Sequence, residues 1–178
     1  MHRFSRSIII RTSIEEAFLF HTDVRNLVQI TPSFLKVNIV HADPPGLGQH
    51  VLLRILQFGF IPLNMHMEFF VYDFPHCLAD RQLKGPFTSM VQHRYFEDVG
   101  GGYTRMEDIF EYSLPFGIFG RFAHVLLMRK LIEHMFVYRQ NETKKLLEKW
   151  IRLALQLIKM MLLSKKLHQS AHHQYSVD

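Results

Sequence analysis

The chain has 178 residues, 48% hydrophobic and 21% charged, with 21 Lys and Arg against 16 Asp and Glu. That is enough for one domain with a sizeable core, and the composition excludes a disordered, collagen-like or low-complexity protein. A lone cysteine, Cys77, excludes an internal disulfide framework and a cysteine-based zinc site, and it fits a reducing compartment. A charge of +5 is compatible with nucleic acid or anionic lipid and points to neither.

No signal peptide is expected, because Ile8–Ile10 is a short apolar core interrupted by Arg11. No apolar run reaches the roughly 18 residues of a membrane span. Sixteen Phe and nine Met are the compositional oddity. They suit a Phe-rich core or a cavity with soft walls, since Met adapts to irregular space.

The Ile-rich segment Phe4–Arg11 reads as a strand. Thr12 or Ser13 can cap a following helix, with Glu15 and Glu16 in its first turn where the helix dipole favours acids. That helix is expected to end near Asp23, and a second, Val24–Ile30, stops before Pro32. Six strands follow, separated by turn clusters: Leu35–His41, Gln49–Phe58, Leu63–Phe74, Cys77–Lys84, Thr88–Asp98 and Tyr103–Leu114. From Ile118 the pattern is helical, and no Gly or Pro follows Gly120. Short turns between consecutive strands imply an antiparallel meander. Its apolar face needs a cover, and the long helix is the only element large enough.

Alternation assigns the faces. In the last strand Thr104, Met106, Asp108, Phe110, Tyr112 and Leu114 must point inward, because the other set carries Arg105, Glu107 and Glu111. In Leu63–Phe74 the inward set is Met65, Met67, Phe69 and Val71. Asp108 thus sits among Met and aromatic side chains. An unpaired carboxylate there would be costly, and Arg94 on the adjacent strand is its natural partner. Alternate turns of a meander share an end. One end collects the mostly polar turns 42–48, 73–76 and 98–102. The other collects Phe58, Phe60, Phe87, Phe116 and Phe119, an apolar rim that either caps the core or marks an opening, a membrane contact or a partner site.

Three stretches resemble a known family. They are Asp80-x-Gln82-x-x-Gly85-Pro86-Phe87, then Thr104 to Gly117 with Asp108, Tyr112, Pro115 and Gly117, then Phe136-x-Tyr138-Arg139. With the order strand, two short helices, six strands, long helix, they resemble the SRPBCC superfamily (START proteins, polyketide cyclases and the birch allergen), in its bacterial ligand-binding branch. The resemblance covers about residues 3–150. It implies an α+β helix-grip fold, in which a curved antiparallel seven-stranded sheet wraps a long C-terminal helix. It also implies an internal cavity for a hydrophobic small molecule, without naming one. The sequence departs from the branch at Met90, Gln92 and Arg94, where a Trp and two His are usual, and at Met65, where a Trp is usual. Proton-transfer roles assigned to those histidines do not carry over.

The expected ligand-binding set is therefore Met65, Met67, Phe69, Asp80, Gln82, Met90, Gln92, Arg94, Met106, Asp108, Phe110 and Tyr112. The expected function is binding or transport of a lipid, a quinone or a polyketide-like molecule. A polyketide cyclase/dehydrase-like enzyme is the alternative, with Asp108, Tyr112 and Arg94 as the catalytic candidates polarising a ketone. No cofactor is implied. No nucleophile elbow, phosphate loop or metal motif is present, and the twelve His are scattered, so no metal site is expected. Nucleic acid is not expected either, for want of aromatic and basic interleaving on the solvent faces.

The resemblance fades after Trp150, which divides the chain into a domain over 1–150, a helical extension over 151–163 and a polar tail over 164–178. Lys145, Lys149, Arg152, Gln156 and Lys159 form a narrow basic stripe, and the rest of Trp150–Leu163 is almost wholly apolar. Three readings stay open: packing on its own sheet, packing on a second copy, or lying in a membrane interface with the stripe toward anionic headgroups. The location implied is cytoplasmic, with peripheral contact at the inner membrane face under the third reading.

Overall fold

The computed structural model describes residues 1–115 and 128–174, with side chains of the long helix described only in part beyond Lys149. The first strand, β1 (His2–Ile10), alternates exposed and covered residues and ends on the fully buried Ile10. Ser13 caps α1 (Ile14–Thr22): its hydroxyl accepts from the Glu16 N–H at 3.2 Å, and the Glu16 carboxylate accepts from the Ser13 N–H. That reciprocal pair satisfies two helix-end donors. The short helix α2 (Arg25–Gln29) follows, then β2 (Leu35–Ala42), β3 (His50–Gln57), β4 (Ile61–Asp73), β5 (Cys77–Lys84), β6 (Ser89–Gly100) and β7 (Tyr103–Ser113).

All pairings are antiparallel, in the order β1-β7-β6-β5-β4-β3-β2. The expected meander holds for β2 to β7, and β1 returns to close the far side against β7. The long helix, α3 (Arg129–Gln174), covers the concave face. The expected helical start at Ile118 lies outside the described residues. The helix runs through 164–174, where a polar tail was expected; that stretch contains no Gly or Pro to stop it.

Alternation works along β7: Thr104, Met106, Asp108, Phe110 and Tyr112 are all buried. In β4 it fails after Phe69. A bulge shifts the register between Phe69 and Val71, so that Tyr72, opposite Leu78, packs inward, and Val71, opposite Ala79, does not. The expectation for Val71 is corrected by that one extra residue.

The interior is layered along the strands. One apolar cluster joins Ile10, Phe18, Leu78, Phe96, Met106 and Leu147. The other joins Val51, Leu53, Met67, Met90, Phe110, Tyr112, Ile132 and Phe136. Polar residues come inward from five elements: His21 on α1, Asp80 on β5, Gln92 and Arg94 on β6, Asp108 on β7, Arg139 and Gln140 on α3.

Candidate functional site

A cavity of about 240 Å³ lies between the sheet and α3, on the side of the second cluster. Its walls are Val51, Leu53, Met65, Met67, Phe69, Phe87, Met90, Phe110, Ile132 and Met135, with Phe20, Val24, Leu27, Ile30 and Phe34 from α1, α2 and the chain after them. Its polar end is His21, Asp80, Gln92, Arg94 and Arg139. The volume equals about eight waters of liquid. It is below the roughly 300–1,000 Å³ of drug-sized sites, though Met-lined walls adapt easily.

The polar layer has two unlike halves. Asp108 is a saturated hub. Its Oδ1 accepts from Gln92 Nε2 at 2.9 Å and from Arg94 Nε at 2.7 Å, and its Oδ2 accepts from Gln140 Nε2 at 2.8 Å. Gln140 is itself fixed, donating to the Arg6 carbonyl at 3.0 Å and accepting from Arg6 Nε at 3.0 Å. The Asp108–Arg94 pair anticipated from the strand faces is thus present. A carboxylate bonded to three donors is a structural anchor, and Asp108 is not among the residues that line the cavity.

The other half is unsatisfied. His21 is buried, and its Nε2 has no partner; Arg139 Nε is likewise buried and unpartnered. Burial, then the charges of Arg94 and Arg139, hold the His21 imidazole well below its usual pKa, so it is neutral. Burial pushes the Asp80 carboxyl up to about 6, against the pull of Arg94 and Arg139 and with a further push from Asp108. Burial and the neighbouring Arg94 lower Arg139 to about 10, still protonated at neutral pH.

Of the residues expected to bind ligand, Met65, Met67, Phe69, Asp80, Met90, Gln92, Arg94 and Phe110 line the cavity, whereas Gln82, Met106, Asp108 and Tyr112 do not. Met106 lies one layer away, in the cluster with Ile10 and Phe18. Tyr112 packs among Phe87, Phe110 and His2, away from Asp108 and Arg94 in the layer beyond. Gln82 spends its amide on the turn after β5, donating to the Phe87 carbonyl at 2.8 Å and accepting from the Phe87 N–H at 3.3 Å. Gly85 leaves room for it, because a Cβ there would collide with the Gln82 side chain. The Gln82-x-x-Gly85-Pro86-Phe87 motif is therefore a turn lock.

Of the expected rim, Phe87 lines the cavity. Phe58 stacks on Phe34 with 42% of its surface exposed, and Phe60 is 73% exposed; neither lines the cavity. Phe116 and Phe119 lie outside the described residues. His21 and Arg139 were not among the expected site residues. His21 was legible, because Ile14, Ala17, Phe18 and His21 follow the helical period of one buried face.

Sequence comparison is silent: no family model matches the chain, and no curated protein matches it. Structural comparison is not. The chain superimposes on a START superfamily protein from Mycobacterium smegmatis with a TM-score of 0.65 and 12% identity, covering 84% of this chain and 99% of that one. It matches the Zhui aromatase/cyclase from a Streptomyces species with a TM-score of 0.69 and 15% identity, covering 86% and 97%. A protein from Thermus thermophilus gives 0.67 and 16%, covering 81% and 95%. The chain has a START-like helix-grip fold. At these identities the likeness establishes the fold, and function must come from the site.

Proposed function

We propose that the chain binds a hydrophobic small molecule in the cavity beneath α3. The observation that carries this reading is a hollow with Met, Phe and aliphatic walls, in an interior that packing would otherwise fill. The START-like and cyclase neighbours are consistent with it. Binding is favoured over cyclase-like catalysis because Asp108, the expected acid or base, is committed to three donors, and Tyr112 stands apart from it. Protein purified without detergent and examined by native mass spectrometry, with organic extraction of the same sample, should release an apolar molecule. Repeated absence, together with no uptake of added octanoate or 1-octanol, would reject the reading.

A second reading concerns the far part of α3. Packing ends near Leu147; beyond it Leu153, Leu157, Ile158, Met160, Met161 and Leu162 are 41–66% exposed. These six described side chains are left largely without cover from the sheet. Between Lys149 and Gln174 the sequence carries five Lys or Arg and no Asp or Glu. Exposed apolar residues with only positive charges suit an anionic lipid surface, on which an amphipathic helix lies flat. No helix among the described residues is long and apolar enough to cross a membrane. The full chain is expected to float with phosphatidylglycerol vesicles and not with phosphatidylcholine ones, and Leu157→Glu with Met161→Glu should abolish flotation. Unchanged flotation would remove the reading. Sedimentation as a dimer that the same substitutions dissociate would replace it with a second copy.

A further inference from the structure

We propose that the polar end of the cavity is a carboxylate site, so that the bound molecule is a short amphipathic acid with its head on Arg139 and His21. This rests on the cavity reading above and adds the chemistry of the head. Apolar walls account for the body of a ligand. They do not account for two buried nitrogens, His21 Nε2 and Arg139 Nε, left without partners at the same end of the same hollow. A buried donor without a partner is destabilising, and two facing one void call for an acceptor from outside the chain. Both can donate: Arg139 Nε always carries hydrogen, and a neutral imidazole carries one on either nitrogen. A planar two-oxygen acceptor can take both at once. A hydroxyl or ketone offers one oxygen.

Charge selects a monoanion. Arg94 and Arg139 bring two positive charges. Asp108 cancels one through its bond to Arg94. Asp80, facing both guanidiniums, cancels the other only while ionised, and its carboxyl sits at about 6. A carboxylate that enters takes the place of the Asp80 charge, and Asp80 takes up a proton. A doubly charged phosphate would leave one negative charge uncompensated in a poorly solvated site. The other charged groups nearby are accounted for. Arg6 is bonded to Gln140 and is not among the charges acting on Asp80 or His21. Asp23, at the edge of the cavity, is held by Arg25 at 2.7 Å.

The experiment compares ligands of one length that differ only in the head: octanoate, 1-octanol and octylamine, titrated by calorimetry into the full chain at pH 6.5. Octanoate should bind at least tenfold more tightly than 1-octanol, and octylamine not at all. The preference should weaken several-fold between pH 6.5 and 8, as Asp80 loses the proton it must regain. Arg139→Met should erase the preference while 1-octanol still binds, which also shows that the variant is folded. If that variant fails to fold, the comparison of heads and its pH dependence on the wild-type chain decide alone. Equal affinities for acid and alcohol would overturn the carboxylate site and leave the apolar cavity standing. No binding of any of the three would overturn both.

Discussion

Asp108 and Asp80 face the same interior with only β6 between their strands, and they are opposite in kind. Asp108 is ringed by Gln92, Arg94 and Gln140, each within 2.9 Å. Asp80 looks into the hollow and feels its two arginines without a hydrogen bond to either among the described residues. The difference follows from where the helix lies. Gln140 on α3 reaches Asp108 and closes it off. Arg139, the residue before it, lines the cavity instead. One acid is part of what holds the sheet to the helix, and the other is held at some cost beside a void. Such a cost is commonly the sign of a working site.

The largest expected effect comes from breaking the saturated half. Asp108→Ala would leave Arg94 without its hydrogen-bonded counter-ion, the Gln92 amide without this acceptor, and the Gln140 amide with the Arg6 carbonyl alone. We expect a loss of about 3–5 kcal/mol in chemical unfolding. A loss below about 1 kcal/mol would show that the hub does not anchor the helix to the sheet.

The unsatisfied half should respond with the opposite sign. The folded chain holds the Asp80 proton up to about pH 6, while the unfolded chain releases it near 3.8. Between those values the folded state binds more protons, so the contribution of Asp80 to stability falls as pH rises from about 4 to 6 and stays lost above that. Asp80→Asn mimics the protonated form. It is expected to stabilise the chain above pH 6.5 by up to about 3 kcal/mol, and to make no difference near pH 4. His21 works the other way. Its lowered pKa means that stability is lost as pH drops below 6.5. The difference between variant and wild type at each pH therefore isolates Asp80, since His21 is common to both.

The two apolar clusters should differ likewise. Phe18 is wholly buried and meets Tyr72, Phe74 and Phe96 edge-on or tilted at 5.1–5.6 Å. Phe18→Ala should cost about 3–5 kcal/mol, the usual figure for a packed aromatic. Met65 borders space that is already empty. Met65→Ala should cost about 1–2 kcal/mol, at or below the low end for a buried Met, because fewer contacts are lost. It should also enlarge the cavity, so that longer alkanoates bind better than octanoate. Equal losses at the two positions would mean that the hollow is filled in solution.

Much of this comparison could be read from residue order. The sheet, its faces and the Asp108–Arg94 contact followed from alternation and adjacency, which are local rules. Three things did not. A bulge after Phe69 reversed Val71, and nothing in Phe69-Phe70-Val71 announces the extra residue. Depth along the strands was invisible: Met106, Asp108 and Tyr112 share a face with Phe110, and only Phe110 reaches the cavity. The cavity itself is a difference between the volumes of elements far apart in sequence, so no single segment encodes it. His21 and Arg139 gain their meaning from that void, which is why neither the buried face of α1 nor the Phe136-x-Tyr138-Arg139 motif marked them as site residues.

The smallest effect belongs to the turn that borders both regions. Gln82 faces inward like Asp80, two residues before it, and by alternation alone belongs to the site. Its amide is spent instead on both backbone groups of Phe87, across a glycine with no room for a Cβ. Gln82→Ala removes two modest hydrogen bonds at a partly exposed turn, for about 1–2 kcal/mol in thermal or chemical unfolding. What distinguishes it from a ligand contact is the order of its effects. Phe87 lines the cavity and packs on Phe110 and Tyr112, so loosening the turn should weaken acid and alcohol binding equally and leave the preference between them intact. A selective loss of octanoate binding in Gln82→Ala would place Gln82 with Arg139 and His21, and would redraw the line between the lock and the site.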